Sequence, residues 1–395
     1  MKVDENYVRM KIEELSCIGR DDKGVLSRLA YSPSFWKSVH WLEKLMKEAG
    51  LTVTIDGVGN VIGSMPGEEG YGDIILGSHI DTVLNAGSFD GAVGVIAAVE
   101  TARALRREKK RLRHPLKIIA FAEEEGLVIS GLFGSRAYIG KIEAYSQDSQ
   151  IASEIGIDFN QIRNSATDVS KIQCYLELHI EQGGVLEKNE KDIGIVTAIV
   201  GYERYKITIH GKENHAGTTP MEFRDDALVK AAKMILDLPQ KAVEIDKEMV
   251  CTVGVIKAYP GACNTVPGKV IMEVDMRAVE ESSIEKLRKY MYSYYCEKDM
   301  EIQQELSEPP ARMNKKIQEK IEAACKKQGY SYHYMPSGAA HDTTAMSLVT
   351  SCGMIFIPSI GGISHSPKEC TAYEDVNKGT QILMDTLLLL DNFGQ

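Results

Sequence analysis

Four short apolar runs govern what this chain of 395 residues can fold into: IIL before GSHID, LKIIAFA before EEEG, CYLEL before HIEQG, and MIFIP before SIGGISHSP. Apolar runs of this length, bounded by glycine or charge, read as strands buried on both faces. Helical periodicity separates the first two, in VGVIAAVETARALRREKKR after Asp90, so strands alternate with covering helices and the class is α/β. In such sheets ligands bind beyond the carboxyl ends of the strands. Every one of the four runs exits into a segment holding His or Glu, so the place of a site is tied to the fold itself.

The remaining pattern fills in the architecture. To about Gly50 the chain reads as helices, with Trp36, Val39, Leu42 and Met46 at helical spacing before a glycine stop. LTVTIDGVGNVIGSMPG then alternates around Asp56-Gly57, a hairpin signal. Its Gly57, Gly59 and Gly63 make only GxGxxxG with no helix following, so a dinucleotide fingerprint is the poorer reading. Between residues 204 and 311 come RYKITIHG, a helix from about Arg224 to Leu238, MVCTVGVIKAYP, KVIMEVDMRAV and a charged helix. That is two strand-and-helix pairs of antiparallel character. Residues 1–203 and 312–395 are therefore expected to form a helix-covered mixed sheet, with 204–311 as a smaller inserted α+β domain.

Composition narrows the function classes. Lys plus Arg total 46 against 56 for Asp plus Glu, a formal charge of −10, which argues against a general nucleic-acid or anionic-membrane surface. Any anionic substrate must then be met by a local cation. The opening MKVDENYVRMKIEEL lacks the apolar core of a signal peptide, and no run approaches the ~20 residues of a membrane span. Eight scattered cysteines, Cys17, Cys174, Cys251, Cys263, Cys296, Cys325, Cys352 and Cys370, include no CxxC pair. They are expected to be mostly buried, reduced thiols, and the expected location is cytoplasmic.

Chemistry is concentrated at the strand exits. His79 and Asp81 lie two apart, on the same side of an extended strand exit, and a glycine-rich loop can return Asp90 to them. Alone, an HxD reads better as a satisfied polar pair at a strand end. Glu123, Glu124 and Glu125 repel one another unless a cation or a proton relieves them; a solvated acidic patch is the alternative, but the buried run before them favours a metal ligand beside a general base. His179 and His365 add two more strand-exit imidazoles. Three His with Asp and Glu suit two metal ions bridged by one carboxylate and a water. His40, His114, His210 and His333 stand in amphipathic or polar context and carry no assigned role.

With these motifs the chain resembles the dinuclear metallohydrolases of the M20 peptidase type, in the branch of N-carbamoyl-L-amino acid hydrolases, β-ureidopropionases and allantoate amidohydrolases. The matching motifs run from GSHIDTV to SHSPKE, and HIEQG, NHAGTTPM and NTVPG mark that branch rather than the dipeptidases. The resemblance implies that His79, Asp90 and Glu125 are metal ligands, that His179 completes one site and His365 the other, and that Asp90 bridges. Asp81 backs the ligand set, and Glu124 resembles the general base. In the inserted domain, which the resemblance makes a dimerisation and lid domain, His215 would be an oxyanion donor reaching a neighbouring subunit's site. Asn264 and Arg277 resemble the pair that grips the substrate carboxylate, against a surface ion pair as the alternative for Arg277. Gln182 would contact the ureido group and His341 would neighbour the site.

The implied activity is hydrolysis of the ureido C–N bond of an N-carbamoyl-L-amino acid or allantoate, with release of ammonia and carbon dioxide. Implied with it are two divalent cations (manganese, zinc, cobalt or nickel), a small ureido or amide substrate bearing a carboxylate, and a homodimer with neither nucleic-acid nor membrane partner. An aminoacylase or dipeptidase of the same fold is the alternative, and an inactive metal-binding scaffold the alternative of another class. Two departures bear on the pocket wall: relatives commonly read GGRFDG and EEGSRF, whereas this chain reads AGSFDG from Ala86 and EEEGLVIS from Glu123.

Overall fold

The four apolar runs become four neighbouring parallel strands. In the computed structural model, which describes residues 1–69, 72–295 and 299–391, Leu116–Phe121, Asp73–His79, Ile172–Ile180 and Cys352–Ile357 lie side by side in that order. Each neighbouring pair is parallel. The chain leaves Asp73–His79 for its neighbour on one side and later returns to its other side, so the sheet has a topological switch point at this strand, where such sheets form crevices. The hairpin Thr52–Ile55 and Val61–Met65 adds to one edge antiparallel. On the other side Ile193–Ile199 pairs antiparallel with Cys352–Ile357, which makes the sheet mixed.

Helices cover both faces for local reasons. Pro33–Glu48 starts at Ser32, whose side chain accepts from the Phe35 amide, with Pro33 in the first turn. Its buried stripe is Phe35, Val39, Leu42 and Met46, while Trp36 is 37% exposed. The expected stripe was thus right except at its first member, because Phe35 stands four residues before Val39 and takes the inward position. Ala92–Arg107 is buried almost all round and lies so close to the sheet that a Cβ on Gly94 would stand 2.2 Å from the Leu178 carbonyl oxygen.

Two compact units result, Met1–Thr197 with Arg312–Gln395, and Ala198–Ala311. The smaller is a four-stranded antiparallel sheet in the order Met300–Glu308, Gly201–His210, Lys269–Ala278, Val250–Tyr259. Its inner strands alternate buried and half-buried residues, and one face packs Tyr205, Ile207, Met272 and Val274 with Met234 and Leu238 of Ala227–Ile245 and Leu287 of Glu281–Tyr295. Two expectations are corrected. The strand Met300–Glu308 was not foreseen, since EIQQELSE carries little apolar signal. The first helix runs Ala227–Ile245 rather than from Arg224 to Leu238. Asp226 caps it, and the stripe Ala231, Met234, Leu238, Ala242 continues through Pro239, so packing outweighs the missing amide.

The cysteine expectation also needs correction. Cys174, Cys325 and Cys352 are buried and Cys251 is intermediate, but Cys17, Cys263 and Cys370 are exposed; all seven are free thiols. Cys296 lies outside the described residues. No helix among them is long and apolar enough to cross a membrane.

The Gly94 approach is testable. Gly94→Ala should destabilise the protein by about 1–3 kcal/mol, because the helix must move away from the sheet. Denaturant unfolding should show the loss in the midpoint.

Candidate metal centre

Each strand exit delivers one or more side chains to the same crevice. His79 ends Asp73–His79, His179 lies near the end of Ile172–Ile180, Glu123 to Glu125 follow Leu116–Phe121, and His365 follows Cys352–Ile357 in the chain. Asp90 stands just before the helix Ala92–Arg107, and Gly91, at φ +61°, makes the turn. A Cβ there would lie 2.4 Å from the His79 ring, so the close approach requires glycine.

The Asp90 carboxylate is the meeting point. Its Oδ1 lies 3.0 Å from His179 Nε2 and 3.5 Å from His79 Nε2. Its Oδ2 lies 3.3 Å from His365 Nε2, which is in turn 3.6 Å from Glu125 Oε2. Glu124 Oε2 is 3.6 Å from His79 Nε2. Three sets of donor atoms converge within 4.8 Å: His79, Asp90 and His179; Asp90, Glu125 and His365; and His79, Glu124 and Glu125. Asp90 belongs to two of them with a different oxygen toward each, the arrangement of a bridging carboxylate.

The rings are oriented from behind. His79 Nδ1 lies 3.1 Å from the Asp81 carbonyl and His179 Nδ1 2.8 Å from that of Ile180. A carbonyl only accepts, so the proton sits on Nδ1 and the Nε2 lone pair faces the crevice. The Asp81 carboxylate accepts the amides of Glu124 and Glu125, at 3.4 and 3.2 Å, and so fixes the glutamate segment. Glu123, Gln182 and His365 all have left-handed backbones, with φ of 59°, 59° and 52°. Strain of this kind gathers at functional sites.

Electrostatics show a donor set short of positive charge. Burial pushes the Glu125 carboxyl up to about 7, with Asp90 adding repulsion, and one of its oxygens is buried without a partner. Burial likewise drives Glu124 well above the usual carboxylate range, and the opposing pull of His79 does not cancel it. Burial opposes protonation of His79 and His179, yet the neighbouring carboxylates outweigh it and raise both. Asp90 is penalised by burial too, but its three imidazole partners hold it well below the ordinary value. Nitrogen and carboxylate donors in this state fit divalent cations of borderline softness.

The other expected residues fall in different places. Gln182 Nε2 donates to Asp90 Oδ2 at 2.8 Å and lies 3.4 Å from His365 Nε2, while its Oε1 is buried without a partner. His341 is buried with its ring centroid 4.5 Å from that of His179, and its Nε2 lies 2.9 Å from Ser337 Oγ. In the smaller unit, His215 Nδ1 accepts the amides of Gly217 and Thr218 at 3.0 and 3.1 Å. Its proton is therefore on Nε2, which leaves a donor on an exposed ring. Thr219 Oγ1 donates to the His215 carbonyl at 2.7 Å within the same turn, and Asp226 caps the long helix that follows. Asn264 lies beside it, its carbonyl accepting from the Ala216 amide at 2.9 Å. Arg277 Nε donates to Asp275 Oδ1 at 2.7 Å, and the guanidinium packs on the Tyr202 ring.

Sequence reading missed Glu177. It is buried, and accepts from Ser78 Oγ at 2.8 Å and from the Thr343 amide and hydroxyl at 3.0 and 2.6 Å, which pins the segment bearing His341. A carboxylate inside a strand buried on both faces was the available signal. The two loops that depart from the common pattern are each met by an arginine: Arg20, distant in the chain, donates to Ser88 Oγ at 3.0 Å, and Arg136, from the helix just after the loop, to Ser130 Oγ at 3.3 Å.

The family model described as "Peptidase family M20/M25/M40" matches residues 75–389. The chain is 34% identical to the N-carbamoyl-L-amino-acid amidohydrolase of Paenarthrobacter aurescens, covering 99% of each chain. It is 35% identical to the allantoate amidohydrolase of Escherichia coli, over 95% of this chain and 97% of that one. Among solved structures, an amidase of the hydantoinase/carbamoylase family from Burkholderia multivorans superposes with a TM-score of 0.89 at 27% identity, covering 98% of both.

His365→Ala should lower the uptake of divalent cations without abolishing it, since it removes a donor atom from only one of the three converging sets. Elemental analysis after metal loading and gel filtration should show the fall. His333→Ala, at an exposed position, should leave the content unchanged.

Proposed function

The chain belongs to peptidase family M20/M25/M40, and on that footing we propose that it hydrolyses the ureido C–N bond of an N-carbamoyl-L-amino acid or of allantoate, releasing ammonia and carbon dioxide. The observation that carries the reading is the division of the Asp90 carboxylate between two donor sets, with Glu124 beside them. Both substrate classes are those named for its relatives.

His79, Asp90 and His179 would hold one divalent cation and Asp90, Glu125 and His365 the other, from manganese, zinc, cobalt or nickel. Bound there, the ions supply an acidified water and a Lewis acid. Glu124 would take a proton from the attacking water and hand it to the departing nitrogen. The buried setting that raises its proton affinity suits a group that must accept and return one proton. The His215 Nε2–H donates to the oxyanion as the carbonyl becomes tetrahedral. Gln182 orients the ureido group through its unpartnered oxygen, which accepts from an N–H, while His341 braces His179. Asn264 and Arg277 take the substrate carboxylate, with Asp275 holding the guanidinium fork in orientation.

The working form in this proposal is a homodimer. The helix Ala227–Ile245 exposes Val229, Leu236 and Val243 along one stripe, and the edge strand Val250–Tyr259 exposes Val250 and Ile256. Apolar surface of this kind beside an open strand edge invites a second copy. The free thiols suit a reducing compartment, and a cytosolic location belongs to the same proposal.

Ammonia release from a panel of N-carbamoyl amino acids, allantoate, N-acetyl amino acids and dipeptides, with manganese added, tests the assignment. Turnover confined to acyl or peptide substrates would overturn it. Glu124→Gln should retain both ions and lose activity by about 10²–10⁴-fold, because the amide cannot take the proton.

Mixed dimers test whether His215 works across the interface. A dimer of one Glu124→Gln and one His215→Ala subunit would contain one intact site, so random exchange of equal amounts should restore about a quarter of wild-type sites. Tag-purified mixed dimers no more active than the mean of the two parents would place His215 in its own chain's site.

A further inference from the structure

The segment that carries His365 has no regular structure of its own. After the strand Cys352–Ile357 there is one turn at Ile360–Gly362, and the next helix begins only at Tyr373. His79 and His179, by contrast, sit in strands with Nδ1 anchored to carbonyls. His365 is 52% exposed and lies at φ 52°. Its position must be set by contacts that reach the segment from outside.

One buried carboxylate makes the principal contact. Glu369 Oε1 accepts the amides of Phe89 and Asp90, at 3.0 and 3.1 Å. Its Oε2 accepts from Ser364 Oγ at 2.9 Å, and that same hydroxyl lies 3.1 Å from Asp90 Oδ2. A single side chain thus ties the backbone of Asp90 to the residue preceding His365. The fit is close on the other side as well. A Cβ on Gly87 would stand 2.3 Å from Glu369 Cβ and Oε1, so the Asp90 loop can reach Glu369 only because residue 87 has no side chain.

We propose that Glu369 is a positioning residue for the cation held by Asp90, Glu125 and His365, acting as a clasp between the Asp90 loop and the His365 segment. The proposal rests on the two-cation reading above. Groups behind metal ligands tune affinity by about 10–100-fold, and this one acts on two ligands of one donor set. The donor set of His79, Asp90 and His179 depends on it less, because strands hold two of its three members. The segment keeps other anchors without Glu369: Ser359 Oγ accepts the Gln182 amide at 3.0 Å, and the Gly361 amide donates to Glu187 Oε2 at 2.9 Å.

Glu369→Ala should therefore keep the fold and lose one of the two ions. Manganese or zinc content and chelator competition on the full-length protein should show the weaker-binding step shifted about ten-fold or more and the tighter step unmoved. Glu369→Gln should retain both ions, since its carbonyl oxygen still accepts the two amides and its NH₂ still reaches the Ser364 oxygen. Circular dichroism and thermal unfolding of the metal-free forms separate clasp from scaffold. Loss of both ions in parallel with a collapsed metal-free melting temperature would overturn the proposal. Wild-type affinity at both steps in Glu369→Ala would overturn it equally. If that variant does not fold, Ser364→Ala, which removes one arm of the clasp, should shift the same weaker step, and an unshifted step would overturn the proposal. A wild-type chain that takes up no divalent ions would instead overturn the proposed function.

Discussion

The carboxylate of Asp90 is met by three imidazoles, and the architecture of the larger unit follows from that sharing. His79 and His179 come from the ends of adjacent parallel strands, and His365 from the chain that leaves a third. Their approach to one carboxylate requires matching strand ends, and the pairings of Leu76 with Leu176 and of His179 with Phe356 supply the register. Gly91 then lets the Asp90 turn lie against the His79 ring.

Such a cluster is costly without a counter-charge. Glu124, Glu125, Asp90 and Asp81 all lie in or against one crevice, and burial penalises each of them as an anion. Imidazoles relieve the penalty only in part, and they do so by taking protons that a metal-binding nitrogen must give up. Divalent cations would resolve both conflicts, since they would neutralise the carboxylates and accept the Nε2 lone pairs. The left-handed backbones at Gln182 and His365 belong to the same trade, with local strain accepted so that both side chains reach Asp90.

The smaller unit contributes chemistry of a different kind. Its sheet holds His215 in a turn whose own amides occupy Nδ1, so the ring presents an N–H rather than a lone pair. A metal ligand needs the opposite tautomer. One residue type thus presents a lone pair at His79 and His179 and an N–H at His215, and the backbone partner of the second nitrogen decides which.

The strand cores, the α/β class, the inserted antiparallel portion and the gathering of His and Glu at strand exits were legible in the sequence, because buried strands must be apolar and their ends must not. What it could not contain was the register of the strands, which decides that Asp90 meets all three rings. Glu369 was visible as the last letter of SHSPKE and Glu177 as a lone acid in CYLEL, yet neither shows its partners, which lie 280 and 166 residues away. The strand Met300–Glu308 and the passage of a helix through Pro239 were hidden for a related reason: both are held by packing from the rest of the unit rather than by local preference. Local sequence determined which residues are buried, which turn and which carry charge; the pairing of distant segments, whose free energy depends on all of them together, was decided only by the tertiary structure.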